Sequence, residues 1–199
     1  GALGLGWGRG SNEVARRLVG DGVALFSAGA SPLLTLGVDG KSLEGMVWLS
    51  ASPLTEGWEI WLSAAGFAGG RPRPGPIALQ LEAGTSGLVL PPALISPLVA
   101  ALARRGVVCR KKPAWLSCIQ SKAIPFSLPL LRLRAVQNSI EFSLQGLKRK
   151  IRGGSKALVF DLDISFGAEG EIKAGTLLFE VFDLALDWKW RRVGFRGSK

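Results

Sequence analysis

The chain has 199 residues, 47% of them hydrophobic, enough to bury a substantial core as one large domain or as one domain plus a fragment. Lys and Arg outnumber Asp and Glu by 25 to 15, a formal charge of +10, so the surface field favours anionic partners such as nucleic acid, lipid headgroups or an acidic protein. Neither His nor Tyr occurs and Cys occurs twice, which excludes a Ser-His-Asp or Cys-His catalytic site, a His-ligated metal centre and a four-thiolate zinc site.

In chain order, "GALGLGWGRG" (1–10) reads as the inside of a fold, with no secretory signal visible. Ser11 or Asn12 can cap a first helix over "NEVARRLV", with Glu13 in its first turn, Arg16 and Arg17 in later turns and Gly20 past its end. Short segments rich in Val, Leu, Ile, Phe and Trp, bounded by Gly, Pro, Ser or Asp, then read as strands: "VALFSAG", "PLLTLGVDG", "GMVWLSAS", "WEIWLSAAG" and "IALQLEAG". After Pro91-Pro92, the apolar positions Leu94, Ile95, Leu98 and Leu102 repeat at helical spacing. They predict a second helix from about 93 to 104, with Pro97 in the first turn or so and Gly106 near the stop. Strands resume with "SIEFSLQG", "ALVFDLDISFG", "GTLLFEVFD" and "RRVGFRG", and strict alternation over 140–144 and 158–164 predicts sheets with one wet face. The fold class is therefore all-β with two or three short helices. No uninterrupted apolar run approaches the roughly 20 residues of a membrane-spanning helix.

Cys109 and Cys118 bracket "CRKKPAWLSC", a spacing that suits a disulfide closing a short hairpin. In an oxidising compartment such a bond contributes about 2–3 kcal/mol, and a secretory, vacuolar or organellar lumen is then the expected location. The alternative is a pair of buried thiols in a reducing compartment. Basic residues cluster at Arg104-Arg105, at Arg110-Lys111-Lys112, at Lys148-Arg149-Lys150 with Arg152, and from Arg191-Arg192 to Lys199. A solvated face or a contact with a neighbouring subunit is the expected role, because aromatic residues do not interleave with them in an RNA-binding pattern. Asp161 and Asp163, two residues apart on one strand, could form a metal or acid pair, but polar residues on a wet strand face are commoner. Trp188 and Trp190, with Lys189 and Arg191 near a terminal hairpin, fit either a protein-contact hot spot or packing onto the sheet.

The order strand, carboxylate-X-Gly-Thr-Ser turn, apolar strand, proline and helix in "LQLEAGTSGLVLPP" resembles the active-site segment in the C-terminal lobe of pepsin-like aspartic proteases, which carries Asp-Thr-Gly-Thr-Ser. Glu82 stands at the catalytic Asp, Ala83 at the following Thr, and Gly84, Thr85 and Ser86 match. Other segments are similar to that family in the same order. "GALGLGWG" resembles the end of the N-terminal lobe, and the helix over 12–19 with "GVALFSAG" resembles the elements that follow. "LLTLGVDGKSLEGMVWLSAS" resembles the Gly-Gly-Ile-Asp segment, and "GWEIWLSAAGF" the strand before the active-site loop. "SIEFSLQGLKRKIRGGSKAL" is similar to the Ile-X-Phe-X-Ile-X-Gly hairpin, and "LFEVFDLALDWKWRRVGFRG" to the terminal strands, where Asp183 matches a structural Asp. Each motif is short; their collinearity carries the resemblance.

The resemblance implies a pepsin-like lobe, with 1–30 as the terminal piece of an N-terminal-lobe-like region plus connecting strand and 31–199 as the C-terminal lobe. It implies no cofactor and no metal. The protease mechanism needs two carboxylates about 3 Å apart that share one proton and activate one water. Here the matching loop offers one acid, lengthened by a methylene that moves the carboxyl by roughly 1 Å, a misplacement that can cost on the order of 100-fold. Ala83 lacks the hydroxyl of the family's Thr, the usual Ile-Leu-Gly-Asp segment is not recognisable in "GAEGEIKAGT", and the first Asp-Thr-Gly loop and flap Tyr are missing. Glu82 is expected to be held by loop amides such as those of Gly84 and Thr85. The implied function is a non-catalytic, protease-like accessory, scaffold or interaction subunit, with a protein partner or a second copy pairing at the missing-lobe edge. Its expected contact residues are Arg110, Lys111, Lys112, Lys148, Arg149, Lys150, Trp188, Trp190 and Arg191. The alternatives are an aspartic endopeptidase fragment completed by another segment or chain, and a basic subunit that contacts RNA or DNA.

Overall fold

The computed structural model describes residues 22–28, 33–55, 57–82, 84–85, 87–113, 115–121, 127–153 and 157–197. The expected first helix, the "GALGLGWG" segment, Ala83 and Ser86 lie outside them. Among the described residues the strands, β1 to β16 in chain order, form three sheets. The first has the order β2 (Leu33–Leu36), β1 (Val23–Ser27), β15 (Phe182–Asp187), β16 (Arg192–Gly197) and β3 (Val47–Ser50). The second runs β10 (Ser139–Ser143), β9 (Leu130–Arg134), β4 (Glu59–Phe67), β5 (Arg73–Leu81), β14 (Glu171–Ala174), β6 (Leu88–Leu90) and β13 (Ile164–Phe166). The third runs β11 (Lys148–Gly153), β12 (Ala157–Leu162), β8 (Leu116–Ser121) and β7 (Val107–Lys111).

Alternation decides which faces the sheets bury. In β10, Ile140 and Phe142 are buried while Ser139 and Glu141 face water; in β9, Leu131 and Leu133 are buried between exposed Leu130, Arg132 and Arg134. The helix α1 (Pro92–Ala103) starts where Pro91-Pro92 can start one and buries the stripe Leu94, Ile95, Leu98 and Leu102 against the sheets. Each of these leucines contributes roughly 1.5–3 kcal/mol by leaving water. Pro97 is the sixth residue of α1, deeper than the sequence suggested, so its turn lacks one intrahelical N–H donor. Among the described residues four ring pairs meet edge to face: Phe26 with Phe179 at 5.3 Å, Phe142 with Phe182 at 5.9 Å, Phe182 with Phe195 at 5.7 Å, and Trp58 with Trp188 at 5.2 Å. The Phe142–Phe182 pair ties the second sheet to the first, and the Trp58–Trp188 pair joins the residues that flank β4 and β15.

Two elements differ from the sequence reading. The segment "GTLLFEVFD" is not one strand: Thr176–Val181 form a short helix, α2, with Leu177 and Leu178 buried, and the strand begins at Phe182. The chain has to turn there, because β14 belongs to the second sheet and β15 to the first. "ALVFDLDISFG" likewise breaks at Asp163 into β12 and β13, which belong to different sheets. Asp161 and Asp163 therefore do not share a face of one strand. The backbone carbonyl of Asp163 accepts the N–H of Leu88, and the N–H of Asp163 donates to Leu147. No metal-binding cluster of His, Cys, Asp or Glu occurs among the described residues.

Candidate functional site

The site follows from an insertion in the second sheet. Strands β5 and β6 are consecutive in sequence but not neighbours, because β14 lies between them, parallel to β5 and antiparallel to β6. The turn from Glu82 to Gly87 must therefore arch across the end of β14, a span of about two strand spacings, or roughly 10 Å. Backbone bonds fix the arch. Glu82 N–H donates to Ala174, Thr85 N–H to Glu82, Thr176 N–H to Thr85, and Gly175 N–H to Gly87. The approach is so close that a Cβ on Gly175 would lie 1.6 Å from the Thr85 carbonyl oxygen, and one on Gly87 would lie 2.2 Å from that of Asp163. Only glycine fits either place.

This insertion brings Lys173 of β14 beside Glu82. The Lys173 ammonium donates to Glu82 Oε1 at 2.9 Å and approaches Glu171 Oε1 at 3.5 Å. The Thr85 hydroxyl donates to Glu82 Oε2 at 3.1 Å. The expectation that loop amides hold the Glu82 carboxylate is thus corrected: the Thr85 amide is spent on the Glu82 backbone carbonyl, and a cation and a hydroxyl take the side chain. Hydrogen bonding to Glu82 is the largest effect on the Lys173 pKa; burial, the next, opposes it, and the charges of Glu82 and Glu171 add to the bond, so that the pKa is held above its ordinary value.

Strand register extends the polar strip. Glu59 on β4 pairs with Gln80 on β5, which pairs with Lys173 on β14. The Gln80 side-chain amide donates to Glu59 Oε2 at 3.3 Å, and Glu59 itself is buried. Glu59, Gln80 and Glu82, with Trp58 and Thr55, line a cleft of about 220 Å³. The sequence reading missed Glu59, Gln80, Glu171 and Lys173. The alternation of Glu171, Ile172, Lys173 and Ala174 was a usable strand signal, but nothing local placed that strand between β5 and β6.

The other expected residues separate into three groups. Cys109 and Cys118 form a disulfide, as cross-strand partners of β7 and β8. Arg110, Lys111 and Lys112 lie on or just past β7, while Lys148, Arg149 and Lys150 begin β11, the opposite edge of the same sheet. Lys111 reaches over the Phe166 ring at 4.1 Å and Lys148 over the Phe160 ring at 5.1 Å, and burial lowers the Lys148 pKa. The side chains of Arg149 and Lys150 lie outside the described residues. At the β15–β16 turn Trp188 is buried against Trp58, whereas Trp190 is 65% exposed. The basic residues here serve the fold: Arg191 donates to the Pro53 carbonyl, Arg192 pairs with Asp187 at 2.8 Å, and Arg196 pairs with Asp183 at 3.0 Å. Asp183 also accepts the Ala28 N–H, in keeping with its expected structural role.

No protein-family model and no curated protein matches the sequence. In structure the chain is similar to the crystal structure of basic 7S globulin from soybean, with a TM-score of 0.67 and 15% identity over 94% of this chain and 55% of that one. The chain thus spans about half the length of this relative. Identity this low speaks for the fold alone, and that fold is the all-β, pepsin-like lobe.

Proposed function

We propose that this protein is a non-catalytic, aspartic-protease-like lobe that serves as an accessory or scaffold subunit of a larger assembly. The observation that carries the reading is the 2.9 Å bond from the Lys173 ammonium to Glu82. A water-activating pair needs a second carboxyl that shares a proton with the first. At this turn the groups that engage the acid are the Thr85 hydroxyl and an ammonium, and the ammonium carries no acceptor and cannot share a proton in that way. The glutamate is also longer than the family's aspartate, as the sequence makes plain.

Interaction through surfaces is supported by the first sheet, whose edge strands among the described residues, β2 and β3, expose Leu33 and Val47. An open edge of this kind offers unpaired backbone groups to another chain. The disulfide supports an oxidising compartment, such as a secretory, vacuolar or organellar lumen. No helix among the described residues is long and apolar enough to cross a membrane.

The test is incubation of the intact protein with an unfolded protein substrate at acidic pH, with and without a transition-state inhibitor of aspartic proteases. The expected result is no inhibitor-sensitive cleavage. Inhibitor-sensitive cleavage that disappears in Glu82→Gln would overturn the proposal in favour of an endopeptidase completed by another segment or chain.

A further inference from the structure

The third sheet buries only one face. Val107, Leu116, Cys118, Gln120, Phe160 and Leu162 point inward and are buried. On the outer face, strand register sets Arg152, Val159, Ile119 and Val108 in one row across all four strands. Val108 is 67% and Ile119 50% exposed, so a contiguous aliphatic row meets water. The adjacent row carries Asp161, Ser117 and Arg110. Exposed Lys112 and Trp115 stand at the turn end of the β7–β8 hairpin, where the Lys112 N–H donates to the Trp115 carbonyl. Among the described residues, no carboxylate pairs with Arg110, Lys112 or Arg152.

We propose that this outer face docks on a membrane surface of anionic lipid headgroups. Exposed aliphatic side chains flanked by cations, with an indole at the end of the hairpin, suit the boundary between headgroups and acyl chains. A second copy of the chain is disfavoured, because it would bring the same cations face to face. Nucleic acid would satisfy the cations but gain nothing from Val108, Ile119 and Val159, which offer no aromatic surface for base stacking. A specific protein partner would read directional hydrogen-bonding groups, and the two rows hold one neutral group of that kind, Ser117. A fluid headgroup layer requires none. The Cys109–Cys118 bond on the inner side ties the two strands that carry Val108 and Ile119, so the face is presented without an ordering cost.

The probe is a pair of vesicle preparations, phosphatidylcholine alone and phosphatidylcholine with about one third phosphatidylglycerol, sedimented with the full chain at low ionic strength. Three cations set against the Asp161 carboxylate predict partitioning about 30-fold stronger onto the anionic vesicles, declining as salt is raised. Arg110→Glu with Arg152→Glu should abolish most of that preference. Val108→Ser with Ile119→Ser should weaken binding about 10-fold while the melting temperature stays within about 2 °C of the parent, because both side chains point outward. Equal partitioning onto the two vesicle types, or anionic binding that neither double variant changes, would overturn the proposal. So would tighter binding to a single-stranded oligonucleotide that is lost in the charge variant but kept in the Ser variant. None of these outcomes bears on peptidase activity, so the docking face and the non-catalytic reading stand or fall separately.

Discussion

Glu82 and Lys173 form a pair whose energetic weight is limited by water. Their side chains are 39% and 31% exposed, so the contact is worth what a solvent-screened ion pair is worth, about 0.5 kcal/mol. A double-mutant cycle of Glu82→Gln and Lys173→Met should return a coupling of that size at neutral pH. The sign with pH follows from Lys173, whose pKa is raised above 10.5 in the folded chain. A raised ammonium pKa gives stability that is whole below the unfolded value and lost as pH climbs through the folded one. Melting curves of the parent and Lys173→Met should therefore converge on the alkaline side of pH 10.5; a constant difference from neutral pH upward would show that the ammonium does not contribute through its charge. Glycines test the geometry of the same turn. Gly175→Ala must displace the Thr85 carbonyl and is expected to cost about 3 kcal/mol, whereas Gly84→Ala, with nothing within 4 Å of the added carbon, should change stability little.

Among the elements, the β7–β8 hairpin has a covalent staple across nine residues of sequence. Replacing both cysteines by Ala should lower stability by about 2–3 kcal/mol and the melting temperature by about 5–10 °C. An unchanged melting temperature would mean that the cross-strand bonds hold the hairpin unaided. What could be read in the sequence at this scale was what local pattern controls. The Pro91-Pro92 start and the 94, 95, 98, 102 stripe gave α1, and alternation gave β10 and β12. The remainder depends on contacts distant in sequence. Thr176–Val181 has the apolar richness of a strand, yet it forms a helix because Gly175 must press against Thr85 and the chain must then change sheets. Lys173 could not be placed beside Glu82 without knowing that β14 enters between β5 and β6. The turn motif marked out the candidate position, but the residues that contact Glu82 there, other than Thr85, come from another part of the chain.

At the level of the whole molecule, the charge of +10 is distributed unevenly between internal and external uses. Arg191, Arg192 and Arg196 donate to internal partners, and Lys111 and Lys148 cover aromatic rings, whereas Arg110, Lys112 and Arg152 face outward around the third sheet. Counting basic clusters along the sequence merged these classes; burial and pairing separate them. The sheets have the arrangement of an all-β, pepsin-like lobe, and at the turn the Glu82 carboxylate is paired with the Lys173 ammonium; on the proposed non-catalytic reading, this turn does no acid chemistry. The most direct test of that statement is calorimetric titration of the intact chain with a hydroxyl-bearing peptide mimic of the tetrahedral transition state, which a working pair of acids binds far more tightly than substrate. No saturable binding below about 1 mM is expected, with parent and Glu82→Gln giving the same trace. Micromolar or tighter binding that vanishes in Glu82→Gln would contradict it.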